Sequence, residues 1–276
     1  MILKTIKINF TDFWGGFDKT DNYFYNLLKQ NFNIEISDNP DFLFYSVFGS
    51  SHLSYKCVKI FFTGENIGPN YNNCDYSMCH DYLDNGKHYR LPLYILYGGY
   101  YELVDKKVDD SLLNRKFCNF IVSNGASLVR NNFFSKLCKY KMVDSGGRFM
   151  NNIGYAVDDK LKFQSDYKFS IAFENDAYRP NRDGYTTEKI LEPMKVNSIP
   201  IYWGNTLIHK DFNRKSFINY HDFKSENELV EYIIHLDNND DEYMKVMREP
   251  WLNDNKVLES LKEENIKKFL YNIFTK

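Results

Sequence analysis

The sequence predicts an α/β fold made of two halves around a cleft. Short apolar runs typical of buried strands alternate along the chain with stretches of helical periodicity, which is the pattern of mostly parallel sheets covered by helices. The stretch 98–116 interrupts this alternation with a glycine pair, several charges and weak periodicity, and a second set of strands and helices follows it. With 276 residues, the chain is long enough for two domains of ordinary size.

The first half begins with an alternating strand, 5–10, and continues with a helix, 20–32, for which Thr20 or Asp21 is the candidate N-cap. Three further apolar runs are predicted as strands, the last of them shorter: 41–49, 58–66 and 74–79. We place the domain boundary near 105–115 and expect an N-terminal α/β domain over residues 1–110.

The second half, 111–276, repeats the alternation. Its strands are predicted at 116–125, at 167–175 and at the end of 184–205. Its helices are predicted at 128–140, at the start of 184–205, and at 225–238, 240–250 and 255–274. Ser225 is the candidate N-cap of 225–238. We expect a C-terminal domain over 111–276, with the last helix either staying there or packing back on the N-terminal domain.

Composition and charge narrow the classes of function. The formal net charge is -2 and the pI is near 6.3, so no global basic field supports nucleic-acid binding. Five cysteines form an odd, sparse set, which indicates a reducing compartment. The N-terminus is too short and too polar for a signal peptide, and no run approaches the roughly 18 apolar residues of a membrane span. We therefore expect a soluble, cytoplasmic protein without stable membrane insertion.

Polar side chains recur where the predicted strands end. They are Glu65 and Asn66, Ser123 and Asn124, Glu174 and Asn175, and Trp203, Gly204 and Asn205. An asparagine after a strand usually makes a turn, so each residue alone carries little weight. Ligands of open α/β sheets bind beyond the carboxyl ends of the strands, however, and the shared location therefore predicts a site there.

Two helix starts carry cations. Thr186 or Thr187 can cap the helix that contains Lys189, and a lysine in a first turn opposes the helix dipole unless an anion is bound. Arg130 lies near the start of another helix and suits an anion in the same way. Together, Arg130 and Lys189 across a cleft would form a diphosphate clamp. Pro193 predicts that the helix containing Lys189 is kinked at that residue, or that its regular part begins there.

Several alternative sites are excluded by spacing. The chain has neither a Walker motif nor G-x-G-x-x-G, and no G-x-S-x-G nucleophile elbow. A calcium-like loop starting at Asp237 has Glu242 in place of the required glycine and Arg248 in place of the final glutamate. Cys74, Cys79 and His80 do not have the spacing of a zinc site. We therefore predict no metal site.

Four stretches together resemble bacterial-type α-1,3/4-fucosyltransferases of glycosyltransferase family 10. They are FTGENIGPN (62–70), VSNGASLVRNNFF (122–134), DSGGRFMNNIG (144–154), and YKFSIAFEN with GYTTEKILEPMKVNSIPIYWGN (167–205). The resemblance implies a glycosyltransferase-B architecture, with two Rossmann-like α/β domains facing across a cleft. It implies an N-terminal acceptor domain, a C-terminal GDP-fucose domain, and an inverting transfer from GDP-β-L-fucose. The expected product is an α-1,3 or α-1,4 fucoside of a glycan that contains N-acetylglucosamine or glucose.

The same resemblance implies roles for individual residues. Glu65 of TGEN is expected to be the catalytic base, and Glu188 to stabilise positive charge at the fucosyl carbon. The expected donor-binding residues are Arg130, Asn175, Tyr185, Glu188 and Lys189, joined by the strand-end residues Ser123 and Asn124. The donor is a substrate, and no cofactor or essential divalent metal is expected.

The chain departs from the family pattern in one loop, and alternatives stay open for its aromatic residues and for its function. The link between FEN and GY, 176–183, is longer than expected, and its Arg179 and Arg182 either touch the nucleotide or lie exposed. Aromatic residues of the first half either stack on acceptor sugars or belong to the core: Trp14, Tyr94, Tyr97, Tyr100 and Tyr101. The alternative functions are a related transferase that uses another nucleotide sugar, and a non-catalytic module that binds one.

Overall fold

The computed structural model describes residues 3–175 and 183–275, which form two compact α/β units. The first unit comprises Met1–Leu96 and Leu258–Lys276, and the second comprises Tyr97–Val257. Each unit contains one sheet in which every described strand pair is parallel. Parallel sheets need apolar strands with cover on both faces, which explains the continuous apolar runs of the sequence.

The first sheet has six strands in the order β2-β1-β3-β4-β5-β6. These are β1 (Thr5–Thr11), β2 (Asn33–Ile36), β3 (Phe42–Tyr45), β4 (Val58–Phe62), β5 (Tyr76–Cys79) and β6 (His88–Arg90). Helix α1 (Tyr23–Leu28) connects β1 to β2. The core of the first unit is aromatic: the ring of Phe44 lies 5.2 Å from that of Phe10 and 4.9 Å from that of Phe24.

The second sheet has five strands in the order β11-β10-β9-β7-β8. These are β7 (Lys116–Phe120), β8 (Val143–Ser145), β9 (Tyr167–Phe173), β10 (Ile199–Trp203) and β11 (Ile218–Asn219). The α-helices of this unit are α2 (Leu128–Leu137), α3 (Lys160–Gln164), α4 (Glu188–Lys195), α5 (Glu226–Asp237) and α6 (Asp240–Arg248). All seven residues of β9 are buried, as expected for the central strand of the sheet.

The last helix, α7 (Glu263–Phe274), packs on the first sheet, although it comes last in the chain. The ring of Phe274 lies 4.4 Å from that of Phe42, and Lys4 Nζ donates a hydrogen bond to the Phe274 carbonyl at 3.0 Å. Of the two placements expected for this helix, the structure has the one on the N-terminal unit.

The compact units divide at Leu96 and Tyr97, whereas the predicted domain boundary at 110 places 97–110 in the first domain. The difference has a packing cause within the second unit. Lys106 Nζ lies 3.3 Å from the ring centroid of the buried Trp251 and donates to the Glu249 carbonyl at 2.8 Å. A cation held over an indole face in this way fixes the segment to its own unit.

Some helices begin at other residues than the sequence predicts, and N-cap hydrogen bonds show where α1 and α5 begin. The predicted helix 20–32 shortens to α1, whose cap is Asn22 rather than Thr20 or Asp21, because the Asn22 side chain accepts from Tyr25 N at 3.0 Å. Ser225 does cap α5, accepting from Glu228 N at 3.2 Å. In 255–274 the α-helix begins only at Glu263, after a 3₁₀ turn at Glu259–Leu261.

The loop after β8 lies against the loop that follows β7. Gly146 N donates to the Phe120 carbonyl at 3.0 Å, and Phe149 N donates to the Val122 carbonyl at 3.1 Å. A Cβ on Gly147 would overlap the backbone of Val122. Gly147 in the SGGRF stretch is therefore required by a close approach of two backbones, whereas a Cβ at Gly146 would meet the side chain of Val157.

We predict that Gly147→Ala lowers the free energy of unfolding by about 1–3 kcal/mol, because the added methyl group cannot be placed without moving backbone. Gly15→Ala is the matched control: no atom lies within 4 Å of its added Cβ, so a change within about 0.5 kcal/mol is expected. Chemical denaturation of both variants measures the difference. Equal stability of the two variants would contradict the close approach.

Candidate active site

The carboxyl ends of β9 and β10 meet at one edge of the second sheet. Phe173 pairs with Trp203, so the residues that follow the two strands are neighbours. Glu174 N donates to the Trp203 carbonyl at 2.8 Å, which continues the ladder by one residue. The side chain of Glu174 therefore lies beside Gly204, at the edge where α/β sheets bind ligands.

The carboxylate of Glu174 is fully buried, with 0% of its surface exposed, and it accepts three hydrogen bonds from the start of α4. Oε1 accepts from Thr187 N at 2.8 Å, and Oε2 accepts from Thr187 Oγ1 at 2.8 Å and from Lys189 Nζ at 3.3 Å. A buried carboxylate is tolerated only when its oxygens are paired in this manner. Glu174 therefore ties the first turn of α4 to the end of β9.

The side chain of Glu174 occupies space that is free because residue 204 is a glycine. A Cβ at Gly204 would lie 2.7 Å from Glu174 Cγ and 2.6 Å from Tyr202 Oη, both shorter than van der Waals contact. Tyr202 is itself fully buried, and its Oη accepts from Asn205 N at 3.0 Å. Tyr202 and the buried Trp203 therefore belong to the packing of the strand end.

Asn205 fixes the segment that leads into α4. Its Oδ1 accepts from Gly184 N at 2.9 Å, and its Nδ2 donates to Thr186 Oγ1 at 3.1 Å. Gly184 has φ +111°, a conformation that favours glycine. Tyr185 lies between these two anchored residues and is buried.

Lys189 lies in the first turn of α4, and Thr187 is the N-cap of that helix. Lys189 Nζ is 2.9 Å from Thr187 Oγ1, 3.3 Å from Glu174 Oε2 and 3.6 Å from Glu188 Oε1. Burial lowers the pKa of Lys189, but the carboxylates of Glu174 and Glu188 outweigh it, so its pKa is raised and the ammonium stays charged. Its side chain keeps 23% of its surface exposed, so a ligand can reach it.

Lys189 does not require a bound phosphate beside it, because two carboxylates of the chain already face it. A lysine in a first turn is unfavourable only where no anion faces it, and here Glu174 and Glu188 supply two. The position of Lys189 is therefore explained without a ligand, and the case for an anion site has to come from Arg130. Pro193 lies inside α4, which begins at Glu188, so the alternative in which the helix starts in earnest at Pro193 is wrong.

Arg130 is the third residue of α2 and is almost completely buried, with 2% of its surface exposed. Its Nη2 donates to the Asn124 carbonyl and, at 3.1 Å, to Asn175 Oδ1. Its Nε is buried and has no hydrogen-bond partner within the described part of the chain. Burial lowers the pKa of Arg130, and the nearby Glu174 carboxylate opposes that effect. A buried cationic donor without an acceptor suits an anionic ligand.

The start of α2 adds further donors. Its N-cap residue, Ser127, makes no side-chain capping hydrogen bond, and its first turn contains no acid. The amide groups of this turn therefore contribute the positive end of the helix dipole beside Arg130.

The remaining predicted donor residues of the second unit lie in the loop after β7 or beside Lys189. Asn124 is exposed, and its Oδ1 accepts from Ala126 N at 2.8 Å, so its side chain completes a turn. Ser123 is exposed in the same loop. Glu188 is half-buried beside Lys189. The structure thus joins Arg130, Asn124 and Asn175 by hydrogen bonds, and Lys189 to Glu188 and Glu174 by ion pairs.

Glu65 belongs to the first unit, in the turn after β4. Its N donates to Thr63 Oγ1 at 2.9 Å, and its carbonyl accepts from Ile67 N at 2.7 Å. These two bonds fix the backbone of the turn, and the side chain is exposed. The residue is accessible to a substrate, as a base must be.

The aromatic residues considered for sugar stacking separate into two groups. Tyr94 and Tyr100 are fully buried and belong to the core, whereas Trp14, Tyr97 and Tyr101 are exposed. The insertion residues Arg179 and Arg182 lie outside the described residues. Among the described residues, no group of three or more His, Cys, Asp or Glu side chains is arranged to hold a metal ion. No described helix has the length and apolar character needed to cross a membrane.

Two family models match the chain in succession. The model of the α-(1,3)-fucosyltransferase FucT N-terminal domain matches residues 8–97, and that of the glycosyltransferase family 10 (fucosyltransferase) C-terminal region matches residues 113–271. The chain belongs to glycosyltransferase family 10. The second match includes β7–β11 and α2–α6, and with them the cluster around Glu174.

Known members of family 10 are similar to this chain in sequence and in fold. An α-(1,3)-fucosyltransferase FucT from Helicobacter pylori is 34% identical over 90% of this chain, and the chain spans 60% of the length of that relative. A crystal structure of an α1,3-fucosyltransferase is 31% identical, with a TM-score of 0.86 over 99% of this chain and 91% of the other. A crystal structure of an α1,3-fucosyltransferase with GDP-fucose is 29% identical, with a TM-score of 0.85 over 100% of this chain and 92% of the other.

These findings confirm the family resemblance and the α/β fold class of glycosyltransferase-B type. Glu174 of this family 10 site was predicted only as one of several polar residues at strand ends, and no individual role was predicted for it. The available signal was an acid directly after a predicted strand, because the end of a buried strand gives a carboxylate little access to water.

We predict that Thr187→Val lowers the free energy of unfolding by about 1–3 kcal/mol, because it leaves Glu174 Oε2 and Lys189 Nζ each short of a partner. Thr187→Ser keeps the hydroxyl and should stay near the original stability. Thermal or chemical denaturation of the two variants gives the comparison. A valine variant as stable as the serine variant would contradict the hydrogen-bonding role of Oγ1.

Proposed function

We propose that this protein transfers L-fucose from GDP-β-L-fucose to a hydroxyl group of a glycan containing N-acetylglucosamine or glucose, forming an α-1,3 or α-1,4 linkage. The observation that carries the proposal is the buried Arg130, whose Nε lacks a partner within the described residues, at a helix start beside the Glu174–Lys189 pair. The GDP-fucose complex of a similar α1,3-fucosyltransferase supports the choice of donor. The Helicobacter pylori relative supports the linkage.

The departing nucleotide would be stabilised by the second unit. The diphosphate of GDP gains charge as the glycosidic bond breaks, and cationic donors that already face it lower the barrier without reorganising. Arg130 Nε, the Lys189 ammonium and the first-turn amides of α2 are the groups we assign to this task. Lys189 would meet a phosphate oxygen, while Asn175 orients the Arg130 guanidinium through its Oδ1.

The other donor residues would hold the sugar and ribose side of the nucleotide. Tyr185, Asn124 and Ser123 are assigned there, together with Glu188. The fucosyl carbon becomes oxocarbenium-like in the transition state, and a carboxylate such as Glu188 would stabilise that positive charge. Glu188 is half-buried and lies 3.6 Å from Lys189, so its charge is partly shared with the ammonium.

The acceptor would be activated by Glu65. A sugar hydroxyl is a poor nucleophile until its proton is removed, and an exposed carboxylate within hydrogen-bond distance can remove it. The hydroxyl oxygen would then form its bond to the anomeric carbon as the bond to the GDP oxygen breaks. The proton passes to Glu65 and the bonding electron pair leaves with GDP, so the configuration inverts in one step. This chemistry uses no cofactor, and we propose that divalent metal is not essential.

We expect the protein to bind GDP and GDP-fucose and to transfer fucose to at least one member of a glycan array. The measurement is calorimetric binding with GDP, GDP-fucose, GDP-mannose and UDP-sugars, followed by a transfer assay with linkage analysis of the product. Preference for a donor other than GDP-fucose would show a related transferase instead. GDP-fucose binding without any product would show a non-catalytic binding module.

Replacing Glu65 tests the acceptor half of the mechanism. We predict that Glu65→Gln lowers kcat by about 10²–10⁴-fold, the contribution typical of a general base, and leaves the affinity for GDP unchanged. Glu35→Gln is the control, since Glu35 is another exposed acid of the first unit, and among the described residues its ion-pair partner is the exposed Lys7, at 3.9 Å. Unimpaired transfer by Glu65→Gln would show that another group removes the proton.

A further inference from the structure

The mechanism above assigns no task to Glu174, although it is the most deeply buried acid of the site. Its oxygens already accept hydrogen bonds from Thr187 and Lys189, and its negative charge would repel a diphosphate, so we assign it no direct contact with the donor. It lies 3.3 Å from Lys189 Nζ, and its negative charge also raises the pKa of Arg130. Burying a carboxylate is costly, and a hydrophobic strand end would pack without that cost.

We propose that Glu174 is the positioning residue of the diphosphate site: it holds the ammonium of Lys189 and the first turn of α4 in the arrangement that a donor diphosphate meets. The identity of the ligand as a nucleoside diphosphate rests on the proposed function. Glu174 acts on the donor only through Lys189 and α4, which distinguishes it from the residues assigned above to donor contacts.

The hydrogen bonds explain why this position needs a carboxylate. Thr187 N and Thr187 Oγ1 each donate to a different oxygen of Glu174, and Lys189 Nζ shares the second oxygen. A glutamine that keeps its oxygen toward Thr187 N would place its NH₂ group where Oε2 now lies. That group is a donor and would face the Lys189 ammonium, which is also a donor. Only an acceptor at both ends satisfies all three contacts.

A pre-positioned lysine matters because the free side chain is mobile. A lysine side chain has about 2 kcal/mol of rotamer entropy to lose when it is fixed on a ligand. Here Thr187 Oγ1 and Glu174 Oε2 already engage the ammonium, at 2.9 Å and 3.3 Å. An ammonium has three donors, and Glu188 Oε1, at 3.6 Å, lies beyond hydrogen-bond distance, so the third donor can be directed at a ligand. Much of the ordering is therefore complete before the donor binds.

If Glu174 only balanced the positive charges of Arg130 and Lys189, its removal would have the opposite effect on the affinity for GDP. Arg130 and Lys189 carry two positive charges and Glu174 and Glu188 two negative charges, so removing one carboxylate would leave the cluster positive. By Coulomb's law, that change alone would strengthen the binding of a diphosphate. Positioning predicts weaker binding, because the ammonium would leave its place. The sign of the change in GDP affinity therefore separates the two roles.

The test is a double-mutant cycle on GDP affinity, measured by calorimetry with the full chain. We expect Glu174→Gln to raise the Kd for GDP about tenfold or more, the loss expected for one hydrogen bond to a charged group. We expect Lys189→Met to raise it at least as much. Glu174→Gln with Lys189→Met should bind GDP no more weakly than Lys189→Met alone, because Glu174 has no lysine left to position.

Controls separate positioning from a general effect on folding. Glu192→Gln removes another acid of α4, which pairs with Lys160, and should leave the Kd for GDP within about twofold. Steady-state kinetics of Glu174→Gln should show a raised KM for the donor and an unchanged KM for the acceptor. If Glu174→Gln alone does not fold, the double variant replaces it, since it buries no unpaired charge from this pair.

Unchanged or tighter GDP binding by Glu174→Gln overturns the inference, as does a further loss of affinity in the double variant relative to Lys189→Met. The original protein is measured in the same series, which keeps the two claims apart. If it binds neither GDP nor GDP-fucose, the proposed function fails and the inference fails with it. If it binds GDP and transfers fucose while Glu174→Gln binds equally well, only the inference fails.

Discussion

The buried carboxylate of Glu174 is the interaction on which the candidate site depends. It follows the central strand β9 and accepts hydrogen bonds from Thr187 N, Thr187 Oγ1 and Lys189 Nζ, so the sheet edge and the start of α4 are held as one piece. Gly204 has no side chain because Glu174 and Tyr202 fill that space. Asn205 then fixes Gly184 and Thr186 on the approach to the helix. Glu174 thus explains the residue types at Thr187 and Gly204, and Asn205 holds the start of the segment 184–205.

The charged groups that the proposed chemistry uses lie at the same sheet edge as the Glu174 carboxylate. Arg130 reaches this edge from α2, where the Asn175 side chain and the Asn124 carbonyl take its Nη2 and leave its Nε buried without a partner among the described residues. Lys189 is held in place on its own helix, partly exposed. An anion that meets both cations finds donors already oriented, which is the condition under which electrostatic stabilisation is effective. The anion we propose there is the diphosphate of GDP-fucose, the compound present in the crystal structure of a similar α1,3-fucosyltransferase.

Much of this fold follows from local pattern. Alternating apolar runs and helical periodicity identified the long strands and both α/β halves, because parallel strands buried on two faces must be apolar throughout. The strands β2, β6, β8 and β11 were missed because their two to four residues mix polar and apolar side chains, whereas the equally short β3 lies within the apolar run 41–49. The return of α7 to the first sheet depends on its contact with Phe42, a residue more than 200 positions away, and no local signal encodes it.

For the site, sequence motifs found the residues, and the structure supplied their connections. Glu65, Asn175 and Glu174 were all predicted at the ends of strands, but the sequence does not distinguish a buried ion pair from a turn former, because burial is a property of the packed chain. The position of Lys189 in a helix first turn led us to expect a phosphate, where two carboxylates of the chain already suffice. Arg130, expected from the sequence to contact the donor, is a buried group whose Nε lacks an acceptor within the described residues.

A crystal structure of the protein with GDP tests the central claim most directly. We predict that diphosphate oxygens lie within hydrogen-bond distance of both Arg130 Nε and Lys189 Nζ, with Glu174 still in contact with the ammonium. A diphosphate bound elsewhere, with Arg130 Nε still lacking an acceptor, would contradict the account.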